Sequence, residues 1–130
     1  MDWNIIKNQN DVDEFNYIYG NFHDSVLKEI CFSSGSYVDE NFKLSIINNP
    51  VARFIFQSEF LEAKYSAVEI EFSSVVQINI KPPESKYSDL SILKSNLYLF
   101  ENVFYLGESD YKDYKLERDD FTWVSAKSVR

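Results

Sequence analysis

Ser66 to Lys81 reads Ser-Ala-Val-Glu-Ile-Glu-Phe-Ser-Ser-Val-Val-Gln-Ile-Asn-Ile-Lys, and its apolar and polar residues alternate with a period of two. This alternation is typical of a β-strand with one buried face and one solvated face. The apolar side chains that share one parity are Val68, Ile70, Phe72, Val76, Ile78 and Ile80. The polar side chains of the other parity are Glu69, Glu71, Gln77, Asn79 and Lys81. The stretch therefore predicts a sheet protein.

The residues Ser73, Ser74 and Val75 lie in the middle of this stretch and decide its connection. A two-residue hairpin turn would move the apolar residues that follow it onto the solvated face. A three-residue hairpin loop keeps all six apolar side chains on one face, and so does one long strand. We predict the three-residue hairpin, because a continuous strand would exceed the usual length of about 3–10 residues.

The length and composition of the chain predict one ordered domain over residues 1–130. The chain has 130 residues with 17% aromatic content, and its Gly and Pro residues are few. A domain of this size buries enough surface to need no disulfide or metal. The only cysteine, Cys31, excludes an intrachain disulfide. Residues 1–10 lack the pattern of a signal peptide, so the expected location is the cytoplasm.

The charge of the chain disfavours one large class of partners. The formal net charge is −8, whereas binding to a phosphate backbone requires clustered Lys and Arg. No apolar run approaches the roughly 20 residues that span a bilayer, so a soluble protein is expected. We therefore expect neither a nucleic-acid partner nor a membrane partner. A negative surface favours encounter with a basic protein.

The remaining segments predict one helix and several strands. Asn10 to Tyr19 has an amphipathic helical pattern, with Asn10 as the N-cap and Gly20 as the stop signal. The other predicted strands are Asn21–Ser34, Phe42–Ile47, Ala52–Phe60 with Phe54 and Phe56 inward, Leu90–Leu93, Leu97–Leu106 with a break near Glu101 and Asn102, and an edge strand in Phe121–Lys127. The predicted fold class is mainly β (α+β), an antiparallel sandwich or curled sheet of about 7–8 strands with one short N-terminal helix.

Phe22, His23, Asp24 and Ser25 contain the only histidine of the chain, next to a carboxylate and a hydroxyl. A catalytic triad is disfavoured, because along a strand Asp24 points away from the face that His23 and Ser25 share. The structural interpretation is that Asp24 and Ser25 accept hydrogen bonds from backbone N–H groups at a turn. We assign no catalytic residue, and these four residues remain a candidate functional or structural motif.

Acidic pairs and aromatic residues supply the other candidate sites. The acidic pairs are Asp39 with Glu40, Glu69 with Glu71, and Asp119 with Asp120. Such pairs are able to bind a hard cation or to act as acid and base, but the common interpretation, which we adopt, is that they are solvated outer charges. One His and one Cys cannot complete a zinc site, and we predict neither a metal nor a cofactor. Cys31 is expected to be a small buried residue of a strand. The candidate partner-binding residues are Glu69, Glu71, Tyr111, Tyr114 and Trp123, since Tyr and Trp are enriched in binding hot spots.

Four segments of the chain carry a resemblance to a protein group. They are Asn21-Phe22-His23-Asp24-Ser25, Ser34-Gly35-Ser36-Tyr37-Val38-Asp39-Glu40-Asn41, Phe54-Ile55-Phe56-Gln57 and Val68-Glu69-Ile70-Glu71-Phe72. They resemble small uncharacterised bacterial proteins with a Phe-His-Asp-Ser motif, and the likeness spans most of the chain. That group is similar, in size and in the His-Asp motif, to small immunity proteins of bacterial toxin systems. The resemblance implies a protein that binds and blocks a toxin, and it implies no catalytic residues.

Three functional hypotheses follow from the sequence. The first is a cytoplasmic protein-binding domain without enzymatic activity, in its specific form an immunity protein that covers a basic toxin. The second is a small hydrolase or lyase that uses His23 with Asp24 or an acidic pair, which requires an open pocket around the imidazole. The third is a homo-oligomeric structural protein that pairs through an open sheet edge.

Overall fold

A computed structural model describes residues 2–19, 25–58, 67–82, 95–108 and 122–130 of the chain. These residues form one helix and eight strands, so the fold is mainly β with one short helix, as predicted. The elements are α1 (Gln9–Ile18), β1 (Ser25–Ser33), β2 (Tyr37–Val38), β3 (Leu44–Ser45), β4 (Val51–Ser58), β5 (Val68–Asn79), β6 (Ser95–Phe100), β7 (Val103–Glu108) and β8 (Trp123–Val129).

Six of these strands form one antiparallel sheet in the order β1-β4-β5-β8-β7-β6. The strands β2 and β3 form a separate two-stranded antiparallel sheet. Among the strands that the structure describes, β1 and β6 lie at the two edges of the large sheet. The predicted strand Leu90–Leu93 lies outside the described residues, and so does the loop between β7 and β8.

The N-cap of helix α1 lies two residues earlier than predicted. Asn8, and not Asn10, is the N-cap, because the Asn8 side chain accepts a 3.0 Å hydrogen bond from the backbone N–H of Asp11. The helix buries Val12 and Phe15 against the sheet. It also contacts β6, so it covers the core next to that edge of the sheet.

The alternating stretch that opened the sequence analysis forms one continuous strand, β5, over Val68–Asn79. The predicted three-residue hairpin is therefore wrong. The first half of β5 pairs with β4 and the second half pairs with β8, so each half has a neighbour without folding back on itself. Ser74 adopts a left-handed backbone with φ of 51°, and the register with β8 shifts between Val75 and Gln77. This irregularity lets Ile70, Val75 and Ile78 all pack against the core.

The strand β8 is central, although the sequence predicted an edge strand in Phe121–Lys127. It pairs with β5 on one side and with β7 on the other. Four consecutive residues of β8, Trp123–Ala126, are buried, so both faces of the strand are covered there. This double burial explains why the sequence pattern of the segment showed no clear phase.

The core lies mainly on one face of the six-stranded sheet. Its largest fully buried side chains include Phe54, Phe56 and Phe72, and the inward orientation predicted for Phe54 and Phe56 is confirmed. The predicted break near Glu101 and Asn102 is also confirmed, since both residues have positive φ in the tight turn between β6 and β7. In the described part of the chain, no helix has the length and apolar character needed to cross a membrane.

Candidate protein-binding surface

The predicted site residues fall into two groups. Phe22, His23, Asp24, Tyr111 and Tyr114 lie outside the described residues. The hydrolase hypothesis depends on His23 and therefore stays a prediction. The second group consists of Ser25, Glu69, Glu71 and Trp123, whose positions the structure gives.

Ser25 and Trp123 both lie in the interior of the protein. Trp123 is 2% exposed, so its side chain offers no surface to a partner. Ser25 is buried at the start of β1, and its hydroxyl has no hydrogen-bond partner among the described residues. The turn that precedes it lies outside those residues, so the hydrogen bond from a turn N–H stays a prediction. Trp123 was predicted as a contact residue from its residue type alone, and its central strand was not recognised.

Glu71 is the centre of an ion-pair cluster on the face of the sheet opposite the core. Arg53 Nε lies 3.0 Å from Glu71 Oε2, and Arg130 Nη2 lies 2.8 Å from Glu71 Oε1. Arg130 Nε also donates a 2.9 Å hydrogen bond to Oε1. Glu69 is more loosely held, 3.8 Å from Arg53 Nε. We call Arg53, Glu71 and Arg130 the Glu71 cluster.

The Glu71 cluster leaves the carboxylate covered and ionised. The prediction that Glu71 is a solvated outer charge is wrong, because the side chains above it leave only 6% of the residue exposed. Burial raises the pKa of Glu71, but the hydrogen bonds from Arg130 and Arg53 outweigh it and hold the pKa below its ordinary value of 4.5. The guanidinium of Arg130 also stacks on Trp3, with 4.5 Å from Cζ to the ring centroid.

A surface depression of about 330 Å³ adjoins this cluster. It is lined by Ile5, Glu71, Ser73, Ser128, Val129 and Arg130. Both Glu71 oxygens already accept hydrogen bonds from arginine, so this carboxylate is poorly suited to exchange a proton with a ligand. In the described ranges, no three His, Cys, Asp or Glu side chains lie close enough to hold a metal ion. The cluster is best understood as a structural link between β4, β5 and Arg130.

The most exposed apolar surface of the described residues lies elsewhere, in the segment that joins β1 to β4. We call residues 36–47, which contain β2 and β3, the apolar arm. Its base is closed by Ser36, whose Oγ accepts a 3.1 Å hydrogen bond from the Ile47 N–H. The large apolar side chains that the arm exposes to solvent are Tyr37, Val38, Phe42, Leu44, Ile46 and Ile47.

The tip of the arm presents Phe42. Asp39 Oδ1 accepts hydrogen bonds from the Asn41 N–H at 2.8 Å and from the Lys43 N–H at 2.9 Å, and these bonds shape the turn. Phe42 has φ of 61°, a left-handed conformation that is unfavourable for a bulky side chain. The residue is nevertheless 90% exposed, so no burial within the described chain compensates for this conformation.

The sequence pattern located a strand in this segment but not its length. Alternation predicted a strand over Phe42–Ile47, whereas the strand covers only Leu44–Ser45, and the alternating apolar residues Phe42, Leu44 and Ile46 are exposed. The strand β2 was not predicted, because only two residues of it pair. No residue of the arm belongs to the buried core of the described chain. Alternation reports that one face is apolar, and it does not report what covers that face.

Cys31 also differs from its prediction. The sequence predicted a small buried residue, but the thiol is free and exposed on β1. It lies 3.1 Å from Glu29 Oε1, and this hydrogen bond, together with desolvation, raises the pKa of the Cys31 thiol. The thiol is therefore less ionised at neutral pH than an isolated cysteine.

The fold and this surface together define a mainly β protein with a six-stranded antiparallel sheet, one short helix and an exposed apolar arm. Comparison of the chain with protein-family models, with curated proteins and with solved structures finds no match.

Proposed function

We propose that this chain is a protein-binding domain without enzymatic activity, and that the apolar arm inserts into its partner. The observation that carries the proposal is Phe42, a large aromatic side chain held in an unfavourable backbone conformation and 90% exposed. Aromatic side chains that fill a partner's pocket supply most of the energy of many interfaces. Strain at one exposed residue is typical of functional positions.

The arm as a whole supports the same function. An isolated two-stranded sheet is marginally stable in water, because pairing without burial does not offset the ordering of the chain. The arm has two residues in each strand, and most of its apolar side chains are exposed. A partner that covers Val38, Phe42 and Leu44 would supply the missing burial.

The expected partner has an apolar groove bordered by Lys and Arg. The chain has a formal net charge of −8, which accelerates encounter with a basic surface. The resemblance to immunity proteins makes a basic bacterial toxin the specific form of this proposal. The free thiol of Cys31 is compatible with a reducing compartment, so we place the complex in the cytoplasm.

The test begins with affinity purification of the tagged chain from the organism that encodes it, at low and at high salt. A stoichiometric protein should be recovered and identified by mass spectrometry, then purified and titrated by calorimetry. Phe42→Asn should weaken its binding by at least about tenfold, because the aromatic anchor is lost. The variant should fold at least as stably as the native chain, since Asn tolerates a left-handed backbone.

Tyr17→Gln is the matched control. Tyr17 is an exposed aromatic residue on α1, away from the arm in the chain, and its replacement should change the affinity by less than about twofold. A basic toxin as the partner should lose its activity at equimolar native protein. The proposal is wrong if no stoichiometric protein is recovered at either salt concentration. Equal affinity of the native and Phe42→Asn chains would show that the arm is not the binding site.

A further inference from the structure

The two edge strands of the large sheet differ in whether their outer backbone groups have hydrogen-bond partners. At the β6 edge, the Asn16 side chain donates to Leu97 O and accepts from the Leu97 N–H, both at 2.9 Å. The amide group therefore occupies the backbone groups that a further strand would use. In the described part of the chain, β1 has only β4 as a neighbour, and no backbone hydrogen bond joins its outer edge to another element.

Only the first half of β1 has features that prevent pairing with another strand. The register with β4 shifts between Leu27 and Glu29, so Lys28 is an extra, charged residue at a bulge. Bulges and charges of this kind prevent edge-to-edge pairing. From Glu29 to Ser33 the pairing is regular, and Ile30, Cys31 and Phe32 carry no charge. Among the described residues, no strand pairs with the outer edge of this segment, so its outer backbone groups are available to another strand.

The core-facing side chains of this segment are only partly buried. Ile30 and Phe32 lie opposite Phe54 and Ala52 of β4, so both are on the core-facing side of the sheet. Ile30 is partly buried against the core, whereas Phe32 is 53% exposed. Phe32 therefore leaves apolar surface at the sheet edge, which a further strand at this edge would cover.

We propose that the outer edge of Glu29–Ser33 pairs antiparallel with the same segment of a second copy, with Cys31 at the two-fold axis. In this register Ile30 of each copy lies opposite Phe32 of the other, and Glu29 lies opposite Ser33. All five residues are paired, the core-facing sides of both sheets match, and no like charges face each other. A shift by one residue would join the core-facing side of one sheet to the outer side of the other.

The dimer is small and forms between like-charged copies. Pairing of five residues per copy lies at the weak end of specific interfaces, so the dimer depends on protein concentration. Each copy has a formal net charge of −8, and salt screens this repulsion. Dimerisation therefore strengthens as salt is added. Binding of a basic partner through charge attraction shows the opposite dependence.

A disulfide between the Cys31 residues of two copies would show that the proposed register is the one that forms. Facing residues in antiparallel strands have Cα atoms about 4.5–5.5 Å apart, within the range that a disulfide spans. The chain has no other cysteine, so the native protein serves as the probe. Diamide, an azo oxidant, takes up two electrons and two protons as two thiols form one disulfide. The reaction is run at alkaline pH, because the raised pKa of the Cys31 thiol limits the thiolate.

Sedimentation velocity from about 10 µM to about 1 mM should show a monomer–dimer equilibrium, and diamide should trap a disulfide-linked dimer. Phe32→Lys places a charge opposite Ile30 and should raise the dissociation constant by at least about tenfold. Val26→Lys is the matched control. Val26 is 40% exposed on the same strand but lies before the bulge, so this change should leave the dimer intact.

A second variant keeps the test decisive if Phe32→Lys fails to fold. Cys31→Lys changes an exposed residue and places two like charges at the axis, so it should also abolish the dimer in sedimentation. A native chain that remains monomeric at about 1 mM overturns the proposal. Equal disulfide trapping of the native, Val26→Lys and Phe32→Lys chains overturns it too. Loss of the dimer in Phe42→Asn but not in Phe32→Lys would assign the contact to the arm instead.

Discussion

Glu71 shows how a single residue can contradict its sequence pattern without disturbing the fold. It lies at a polar position of β5, yet Arg53 and Arg130 cover it, and both carboxylate oxygens accept hydrogen bonds from arginine. Because Glu71 is only 6% exposed, its charge is stabilised by the two arginines and not by water. The link ties β4 to β5 and to the residue that follows β8.

Glu71→Gln should therefore lower the free energy of unfolding by about 1–3 kcal/mol. The change keeps the size of the side chain but removes the charge that two guanidinium groups share. Glu69→Gln is the control, since Glu69 is 3.8 Å from Arg53 and more exposed, and its effect should stay within about 0.5 kcal/mol. Urea denaturation of both variants measures the difference. Equal effects would show that the Glu71 cluster adds nothing beyond a surface ion pair.

The same residue predicts how stability depends on pH. The pKa of Glu71 is lowered in the folded protein, so its contribution to stability is complete above the ordinary value of 4.5. The contribution is lost as the pH falls from that value through the lowered pKa. Urea denaturation from about pH 7 to about pH 3 should show a steeper acid loss for the native chain than for Glu71→Gln. Parallel curves would contradict this assignment.

At the scale of elements, α1 both covers the core and closes an edge. Val12 and Phe15 supply the buried face of the helix, while Asn16 reaches the backbone of Leu97 in β6. A side-chain amide carries a donor and an acceptor, as a peptide group does, so Asn16 replaces a neighbouring strand at this position. The helix and the edge strand are therefore coupled through one residue.

Asn16→Ala should remove both hydrogen bonds and lower the free energy of unfolding by about 1–2 kcal/mol, despite the higher helix propensity of Ala. Amide hydrogen exchange at Leu97, measured by NMR, should become faster than in the native chain. Gln9→Ala is the control, because Gln9 makes only an exposed side-chain hydrogen bond to Asp13. Unchanged exchange at Leu97 in Asn16→Ala would show that the amide does not protect this edge.

At the scale of the whole molecule, the protein consists of a packed sheet and an arm that adds nothing to its core. Every residue of the buried cluster lies outside residues 36–47. The ends of the arm are close together, since a Cβ atom on Gly35 would lie 3.8 Å from Ile47 Cβ. The residues just after the arm are bonded to the sheet. Asn49 Oδ1 accepts a hydrogen bond from the Ser74 N–H, and Pro50 O accepts one from the Val75 N–H.

Deletion of residues 36–47 should therefore leave a folded protein. The shortened connection between β1 and β4 would be Ser34, Gly35, Asn48, Asn49 and Pro50, a usual length for a hairpin loop. The free energy of unfolding should change by less than about 1 kcal/mol, because no core contact is lost. Thermal denaturation followed by circular dichroism measures this change. Loss of the cooperative transition would show that the arm belongs to the folding unit.

The sequence by itself determined the sheet character of the chain, the inward side of Phe54 and Phe56, and the turn at Glu101 and Asn102. These features depend on local periodicity and on backbone preferences of neighbouring residues. Only the tertiary structure decided that β5 continues past Ser74, since two different strands pair with its halves. It likewise decided that Glu71 is covered and that Phe42 is exposed. Burial depends on residues distant in the chain, and the alternation of a single strand carries no information about them.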